Sequence, residues 1–382
     1  CAPQLLQNAP MHRAHMVNMQ RDERERLGTM RITERAIGAD ELVVWATDDA
    51  TGLRAALAMP RAATRPCLAA LTLAPHADST EAVRDALRRA HRMDHGLRLL
   101  GISAAGASLV VMAPEDHPRR ADLCDALGHF LARLGRDVAV MPGPGTGHAD
   151  LMAVAAAWPR VAGASPADHH LPPEARGAVA AARTAHQHLT GAGLGRARGE
   201  VLGPDRPGTG VARMLAAHDA RVYVADPDAR CAAVLADEVG GQAVPMDAAL
   251  RSDCEILMPC LPGLRLTAAD AEGLGCRILV GPADDQLEGP EVATALAARG
   301  ILWLPEALAG AGSILAASGE LHLPGAVRDV DSDTARVVEL TQTMLTASDR
   351  TGVHLSELVA RDGGIPPDGD TPPSRVRAIR AA

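Results

Sequence analysis

Two apolar runs, Glu41-Leu42-Val43-Val44-Trp45-Ala46 and Leu53-Arg54-Ala55-Ala56-Leu57-Ala58-Met59, flank the polar turn Thr47-Asp48-Asp49-Ala50-Thr51-Gly52 and predict a hairpin-like pair. Asp78, followed three residues later by Glu81, forms a capping-box pattern. With Ala82, Val83 and Leu87 on its apolar side, it predicts a helix to about His95. Apolar stretches at 109–112 and 137–141 alternate with a helical pattern near 119–134, which describes an α/β half with mixed strands. An alanine-rich helix runs from Glu174 to about His188 and stops at Thr190-Gly191-Ala192-Gly193. Then come a strand at 199–202, a glycine loop at 203–208, a helix at 211–218 and a strand at 221–226. Further strands at 254–258, 276–280 and 300–304 give the rhythm of a doubly wound parallel sheet. Asp331 to about Asp362 reads as helical, the stretch from Gly363 as a loose tail, and the polar opening through about Arg26 as an exposed arm.

Composition narrows the function. A chain of 382 residues exceeds one typical core and divides into about two domains. Its 47% hydrophobic and 22% charged residues describe a soluble globular protein, expected in the cytoplasm. With one Phe, one Tyr and three Trp, the core is packed from Ala, Leu, Val and Met, and oligomerisation is expected to add contacts. The net charge of −9 and the lack of aromatic platforms argue against nucleic-acid binding. No apolar run reaches a membrane span and no signal pattern opens the chain. Cys1, Cys67, Cys124, Cys231, Cys254, Cys260 and Cys276 are scattered, with no C-x-x-C pair, so a reduced protein without structural zinc is expected. The most consequential absence is lysine: all 38 Lys+Arg positions are arginine. Arginine cannot be deprotonated in a protein, so acid, base or anchor chemistry of a lysine amine is excluded throughout.

Gly203 ends one strand and Asp226 ends the next, 23 positions later, with a helix between them. This is the layout of a Rossmann unit, whose acidic residue holds ribose hydroxyls and whose loop cradles pyrophosphate, and NAD is the candidate cofactor. The loop reads Gly203-Pro204-Asp205-Arg206-Pro207-Gly208. Asp205 stands where the middle glycine lets backbone approach the pyrophosphate, and a carboxylate there repels an anion, so weak binding is expected. The domain reading is an arm over 1–27, a mixed-sheet substrate and oligomerisation domain over 28–170 and a Rossmann-like domain over 171–330. A C-terminal helical segment over 331–362 returns to the first domain, and a tail covers 363–382.

Several stretches together resemble the Glu/Leu/Phe/Val dehydrogenase family, closest to the leucine and valine dehydrogenases. The similarity covers about residues 40–350. Val43-Val44-Trp45 through Asp48-Asp49-Ala50-Thr51-Gly52-Leu53-Arg54-Ala55 resembles its first hairpin. Gly145-Thr146 with Ala149-Asp150-Leu151 is similar to the segment after its catalytic aspartate, and Ala162-Gly163-Ala164-Ser165-Pro166 to its interdomain turn. Met258-Pro259-Cys260, Gly281-Pro282-Ala283-Asp284-Asp285-Gln286-Leu287 and Gly310-Ala311-Gly312-Ser313 resemble Ala-Pro-Cys, Gly-Ser-Ala-Asn-Asn-Gln-Leu and Asn-Ala-Gly-Gly.

The resemblance also shows what is missing. In the family a lysine in Gly-Met-Thr-Tyr-Lys holds the substrate carboxylate, and a second, in Gly-Gly-Gly-Lys, activates the attacking water. These positions fall on Gly96 and Ser108. The catalytic aspartate falls on Gly143, the Gly-Gly-Thr-Arg substrate loop on Ala69-Ala70-Leu71-Thr72, and the substrate-contacting asparagine on Gly310. The expectation is therefore a pseudoenzyme with no catalytic residue retained, acting by binding or assembly, as a homo-oligomer or with an intact dehydrogenase. The alternatives are a repurposed enzyme using the old interdomain cleft and an NAD-dependent oxidoreductase with new catalytic groups. Ser108 is a nucleophile only if a base stands beside it, and His95 is the other group available for new chemistry. His91 with His95, the pair His169-His170, and His186 with His188 lack a third ligand and read as solvated, and Cys260 reads as a small buried cysteine.

Overall fold

The computed structural model describes residues 30–37, 39–114, 116–164, 171–204, 206–327 and 329–360. They fall into two compact units, one running to Met93 and again from Ala105 to 164, the other taking in Asp94–Ala104 and everything from 171 onward.

The first unit is a six-stranded sheet of β1 (Met30–Ile37), β2 (Glu41–Asp48), β3 (Leu53–Pro60), β4 (Cys67–Ala74), β5 (Ala105–Met112) and β6 (Val138–Pro142) in the order β1-β2-β3-β5-β4-β6. Pairing is antiparallel from β1 to β5, and β4 runs parallel to both β5 and β6. The expected hairpin is β2–β3. Its turn is tied by the Asp48 carboxylate, which accepts from Thr51 N (3.2 Å) and Thr51 Oγ1 (2.6 Å). Strands β1 and β4 have no counterpart in the sequence reading. In β1 the charged Arg31, Glu34 and Arg35 mask alternation, and Ala69–Thr72, expected as a substrate loop, lies in the middle of β4.

Alternation along the strands makes two different faces. One carries Leu42, Val44, Leu53, Leu57, Leu71 and Leu109 against α2 (Arg120–Leu134) and α3 (His148–Ala157), with Phe130, the chain's one phenylalanine, fully buried there. The other is built of small residues, Ala56, Ala58 and Val110, under Ala82, Ala86 and Ala90 of α1 (Ser79–Leu99). Asp78 caps α1 as expected, accepting from Thr80 N (2.7 Å) and Glu81 N (2.9 Å). The helix continues past His95 because Leu97 and Leu100 are buried beyond it. Leu42, Val44 and Leu53 of the hairpin are core residues, and β1, paired with β2, forms the edge of the sheet.

The second unit is a parallel sheet of β7 (Arg198–Leu202), β8 (Arg221–Ala225), β9 (Gln242–Ala243), β10 (Ile256–Pro259), β11 (Ile278–Leu279) and β12 (Leu302–Trp303), ordered β12-β11-β10-β7-β8-β9. This is the doubly wound order with its topological switch between β7 and β10. Its helices are α4 (Pro173–Thr190), α5 (Arg206–Ala217), α6 (Ala229–Val239), α7 (Met246–Arg251), α8 (Ala268–Gly273), α9 (Pro290–Ala298), α10 (Glu306–Ala309), α11 (Ala311–Glu320), α12 (Val330–Thr351) and α13 (Leu355–Ala360). The C-terminal helical segment is thus two helices, broken at Gly352, where φ is +69°. Within this unit α12 meets the Asp94–Ala104 segment through Arg336 Nη2 and the Leu100 carbonyl oxygen (3.5 Å).

Candidate functional site

Ser108, Ala70 and Gly143 come together at the centre of the first sheet. Ser108 on β5 is in register with Ala70 on β4 and Ala58 on β3, which places it on the small-residue face beneath α1. It is fully buried and its hydroxyl has no hydrogen-bond partner among the described residues. Thr72, two positions along the same face of β4, is in the same state. A buried hydroxyl left unpaired costs about 1–3 kcal/mol, and a serine without a base beside it is not activated, so the nucleophile reading of Ser108 fails. Gly143 follows β6 on the other side of Ala70. A Cβ built there would stand 2.5 Å from the Leu71 carbonyl oxygen and 3.3 Å from the Ala70 Cβ. Backbone fills the place where a side chain would begin.

Gly96 lies in α1 and groups with the second unit. A Cβ there would come within 2.7 Å of Ile314 Cδ1 on α11. Ile314 therefore occupies the direction in which a residue at 96 would project, a partner that no local pattern announces. His95, one position earlier, faces the Val359 carbonyl oxygen through Nε2, and His91 instead meets Glu41 Oε1. The two do not converge on a metal, and no group of three or more potential metal ligands occurs among the described residues. Gly310 links α10 to α11 at φ −83° and presents no functional group.

The glycine loop keeps the backbone geometry of a dinucleotide turn. Gly203 leaves β7 at φ +94°, in the left-handed region, with Leu261 backbone where a Cβ would stand. A Cβ on Gly208, in the first turn of α5, would overlap the Gly203 carbonyl oxygen, so only glycine lets the helix start this close to the strand. The helix begins at Arg206, earlier than the sequence indicates. Asp226 follows β8, as a ribose-binding acid requires, and its Oδ1 accepts from Asp228 N (2.7 Å). Asp205 lies outside the described residues, as do His169 and His170. The close approach of Gly203 and Gly208 fits the strand-to-helix turn of a dinucleotide frame, while Pro204 and Pro207 supply no backbone N–H to it.

The remaining candidates are structural. Cys260 is buried beside Gly208 and its thiol points at the Met258 carbonyl oxygen (3.5 Å). His186 is buried rather than solvated, with Nδ1 3.1 Å from the Ala192 carbonyl oxygen, and His188 pairs with Asp349 (3.0 Å). The Gly281–Leu287 segment is held by Gln286, whose side chain donates to the Gly281 (2.6 Å) and Ala283 (3.1 Å) carbonyl oxygens and accepts from Trp303 Nε1 (3.2 Å). Asp150 starts α3: its carboxylate accepts from Gly147 N (2.7 Å) and bidentately from Arg120 (2.7 Å each). Burial raises its pKa, but the Arg120 and Gly147 bonds outweigh that and hold the carboxyl below its ordinary range. No helix among the described residues is long and apolar enough to cross a membrane.

No family model matches the sequence. The chain is 30% identical over 345 residues to a valine dehydrogenase of Streptomyces coelicolor, covering 86% of this chain and 89% of that protein. Among solved structures it is similar to the L-tryptophan dehydrogenase of Nostoc punctiforme, with a TM-score of 0.65, 20% identity and coverage of 90% and 95% of the two chains. It is also similar to the hetero-hexameric glutamate dehydrogenase of Thermus thermophilus in its leucine-bound form, with a TM-score of 0.66, 16% identity and coverage of 86% and 84%.

Proposed function

The chain belongs to the Glu/Leu/Phe/Val dehydrogenase family, and from that premise we propose that it is a member without deaminating activity, acting through binding or assembly. One observation carries the reading: the positions that resemble the family's catalytic ones hold no acid, base or lysine, and at Gly143 backbone also fills the place where a side chain would begin. Gly143 is walled by the Leu71 carbonyl oxygen, Gly96 faces Ile314, and Ser108 is buried without a partner. A general acid or base contributes ~10²–10⁴ in rate and a positioned charge about 10²–10³, so a chain lacking all of them does not turn over. Lysine cannot stand in from elsewhere in a chain that has none. The similar valine dehydrogenase is an enzyme, so the proposal is of a loss within an enzyme family.

The test is reduction of NAD⁺ or NADP⁺ by Val, Leu, Ile, Phe or Glu. No turnover is expected; a rate within about a hundredfold of the ordinary ~10 per second would overturn the reading.

A second reading, an oxidoreductase with new catalytic groups, is favoured by the loop alone. Pro204 and Pro207 carry no N–H and Gly203 N donates to the Ala225 carbonyl oxygen (2.9 Å). Among the described loop residues Arg206 and Gly208 are therefore the ones whose N–H groups would face a pyrophosphate, with Asp226 at a ribose, and a bound nicotinamide would supply hydride transfer. The carboxylate of Asp205 opposes this by like-charge repulsion, so NAD is proposed to bind weakly. Calorimetry should give an affinity weaker than micromolar, strengthened by Asp205→Gly. Micromolar binding by the unaltered protein would move the weight to this second reading.

Assembly, with itself or with an intact dehydrogenase, is supported by the hetero-hexameric glutamate dehydrogenase that shares the fold. It is tested by sedimentation of the protein alone and mixed with such an enzyme.

A further inference from the structure

Helices α4 and α12 lie side by side and parallel, because the start of α12 meets the start of α4 and their ends meet as well. At the starts, Asp333, Thr334 and Val337 of α12 line a narrow crevice with Pro173, Arg176 and Gly177 of α4 and Gly312 of α11. Asp333 is 93% buried, as its 7% exposure gives, and its Oδ1 has no hydrogen-bond partner among the described residues. Arg176 lines the crevice without a close ion pair to it, and Arg176 Nη1 donates instead to the Leu171 carbonyl oxygen (2.7 Å). At the far ends, Nε2 of His188 on α4 is 3.0 Å from Oδ2 of Asp349 on α12, with both side chains largely buried.

We propose that this helix pair is an acid-strengthened clamp, in which protonation of Asp333 at one end and of His188 at the other tightens the docking of α12 on α4. The reason at the first end is desolvation. A charged carboxylate with an unpaired oxygen in a crevice is penalised, and its protonated form is not. At the second end a neutral imidazole can already donate Nε2–H to Asp349, and a proton on the ring adds an ion pair to that hydrogen bond. Both changes act in one direction as pH falls.

The charged groups on the first turns are Glu174 and Arg176 on α4 and Asp329 and Asp331 on α12, while α11 contributes only Gly312 to the crevice. Burial is the largest influence on Asp333 and raises its pKa to about 6; Arg176 opposes and Asp329 reinforces the rise. Beyond the last turn, after Arg350 of α12, stand His354 and Glu357. Burial lowers the pKa of His354, which works against the clamp at that end, and Glu357 partly offsets it. The N-terminal half of α12 therefore isolates Asp333. The sign is consistent: a carboxyl whose folded pKa lies above the unfolded value of 3.8 leaves the folded state weaker once pH rises through about 6, and the loss is recovered below it.

The test is amide hydrogen exchange of the full chain at about pH 5 and about pH 7.5, corrected for intrinsic rates. A shift from 3.8 to about 6 makes the N-terminal half of α12 roughly tenfold better protected at the lower pH, whereas α2 of the first unit is unchanged. Asp333→Asn, neutral at every pH, should show the higher protection already at the upper pH and lose the pH dependence there. His188→Gln should remove the pH response of the last turns alone. The proposal is overturned if wild-type protection differs by less than about twofold between the two conditions. It is equally overturned if Asp333→Asn lowers protection at the upper pH or fails to fold, because each result makes the carboxylate a needed anion.

Discussion

Adding one methyl group at Gly143 separates a site that is closed from one that is merely vacant. The Cβ of Gly143→Ala would stand 2.5 Å from the Leu71 carbonyl oxygen and 3.1 Å from the Leu71 carbonyl carbon. Leu71 cannot retreat cheaply, because β4 is paired on both sides, with Leu109 of β5 and Pro142 of β6 opposite Leu71. Overpacking of this kind costs about 1–3 kcal/mol. Gly143 has no left-handed φ to forfeit, so lowered unfolded-state entropy returns about 0.4–1 kcal/mol, and the net is roughly 1–2 kcal/mol destabilising. In a unit of this size that lowers the melting midpoint by about 2–4 °C per kcal/mol. Gly96→Ala makes the contrast. Its obstacle is the free end of the Ile314 side chain, 2.7 Å away, and a helix-interior alanine gains about 1 kcal/mol over glycine. That variant should be neutral or slightly stabilising. Scanning calorimetry on both variants supplies the measurement. If Gly143→Ala melts as high as the unaltered protein, the space beside Leu71 is open, and the steric argument against a catalytic side chain there is wrong.

Two further predictions rest on buried groups. Because the folded pKa of Asp150 is depressed, its contribution is present above the unfolded value and is lost as pH falls through the lowered folded one. Asp150→Asn should flatten the acid arm of the first unit's stability profile, and Arg120→Met, which strands the carboxylate, should cost about 3–5 kcal/mol near neutrality in urea unfolding. Among the described cysteines Cys231 is exposed, whereas burial pushes the Cys124 and Cys276 thiols up to about 12 and raises Cys254 as well. A maleimide reagent followed by peptide mapping should modify Cys231 and spare the five buried ones, Cys67, Cys124, Cys254, Cys260 and Cys276, until the chain unfolds. Modification of Cys124 in the folded protein at a comparable rate would contradict its burial.

What could be read from the chain alone was whatever depends on local order. The turn at Asp48–Gly52, the cap at Asp78, the strand–loop–helix–strand around Gly203 and Asp226, and the absence of lysine all follow from neighbouring residues or from composition, as did the family. Tertiary structure decided the rest. Strand β4 went unread because Ala69 and Ala70 carry no alternation; its identity comes from β5 and β6 on either side. Strand β1, whose charged residues hide its alternation, takes the sheet edge beside the hairpin. The sequence says only that Gly96, Ser108 and Gly143 lack catalytic groups; that Ile314 and the Leu71 carbonyl fill the space beside two of them depends on residues 218 and 72 positions away. Asp333 reads as an ordinary helix-start carboxylate until α4 buries it. Hydrogen bonding along the backbone and side-chain periodicity are short-range and leave marks in the sequence, whereas excluded volume and desolvation depend on which distant segments meet, and only the folded chain fixes that.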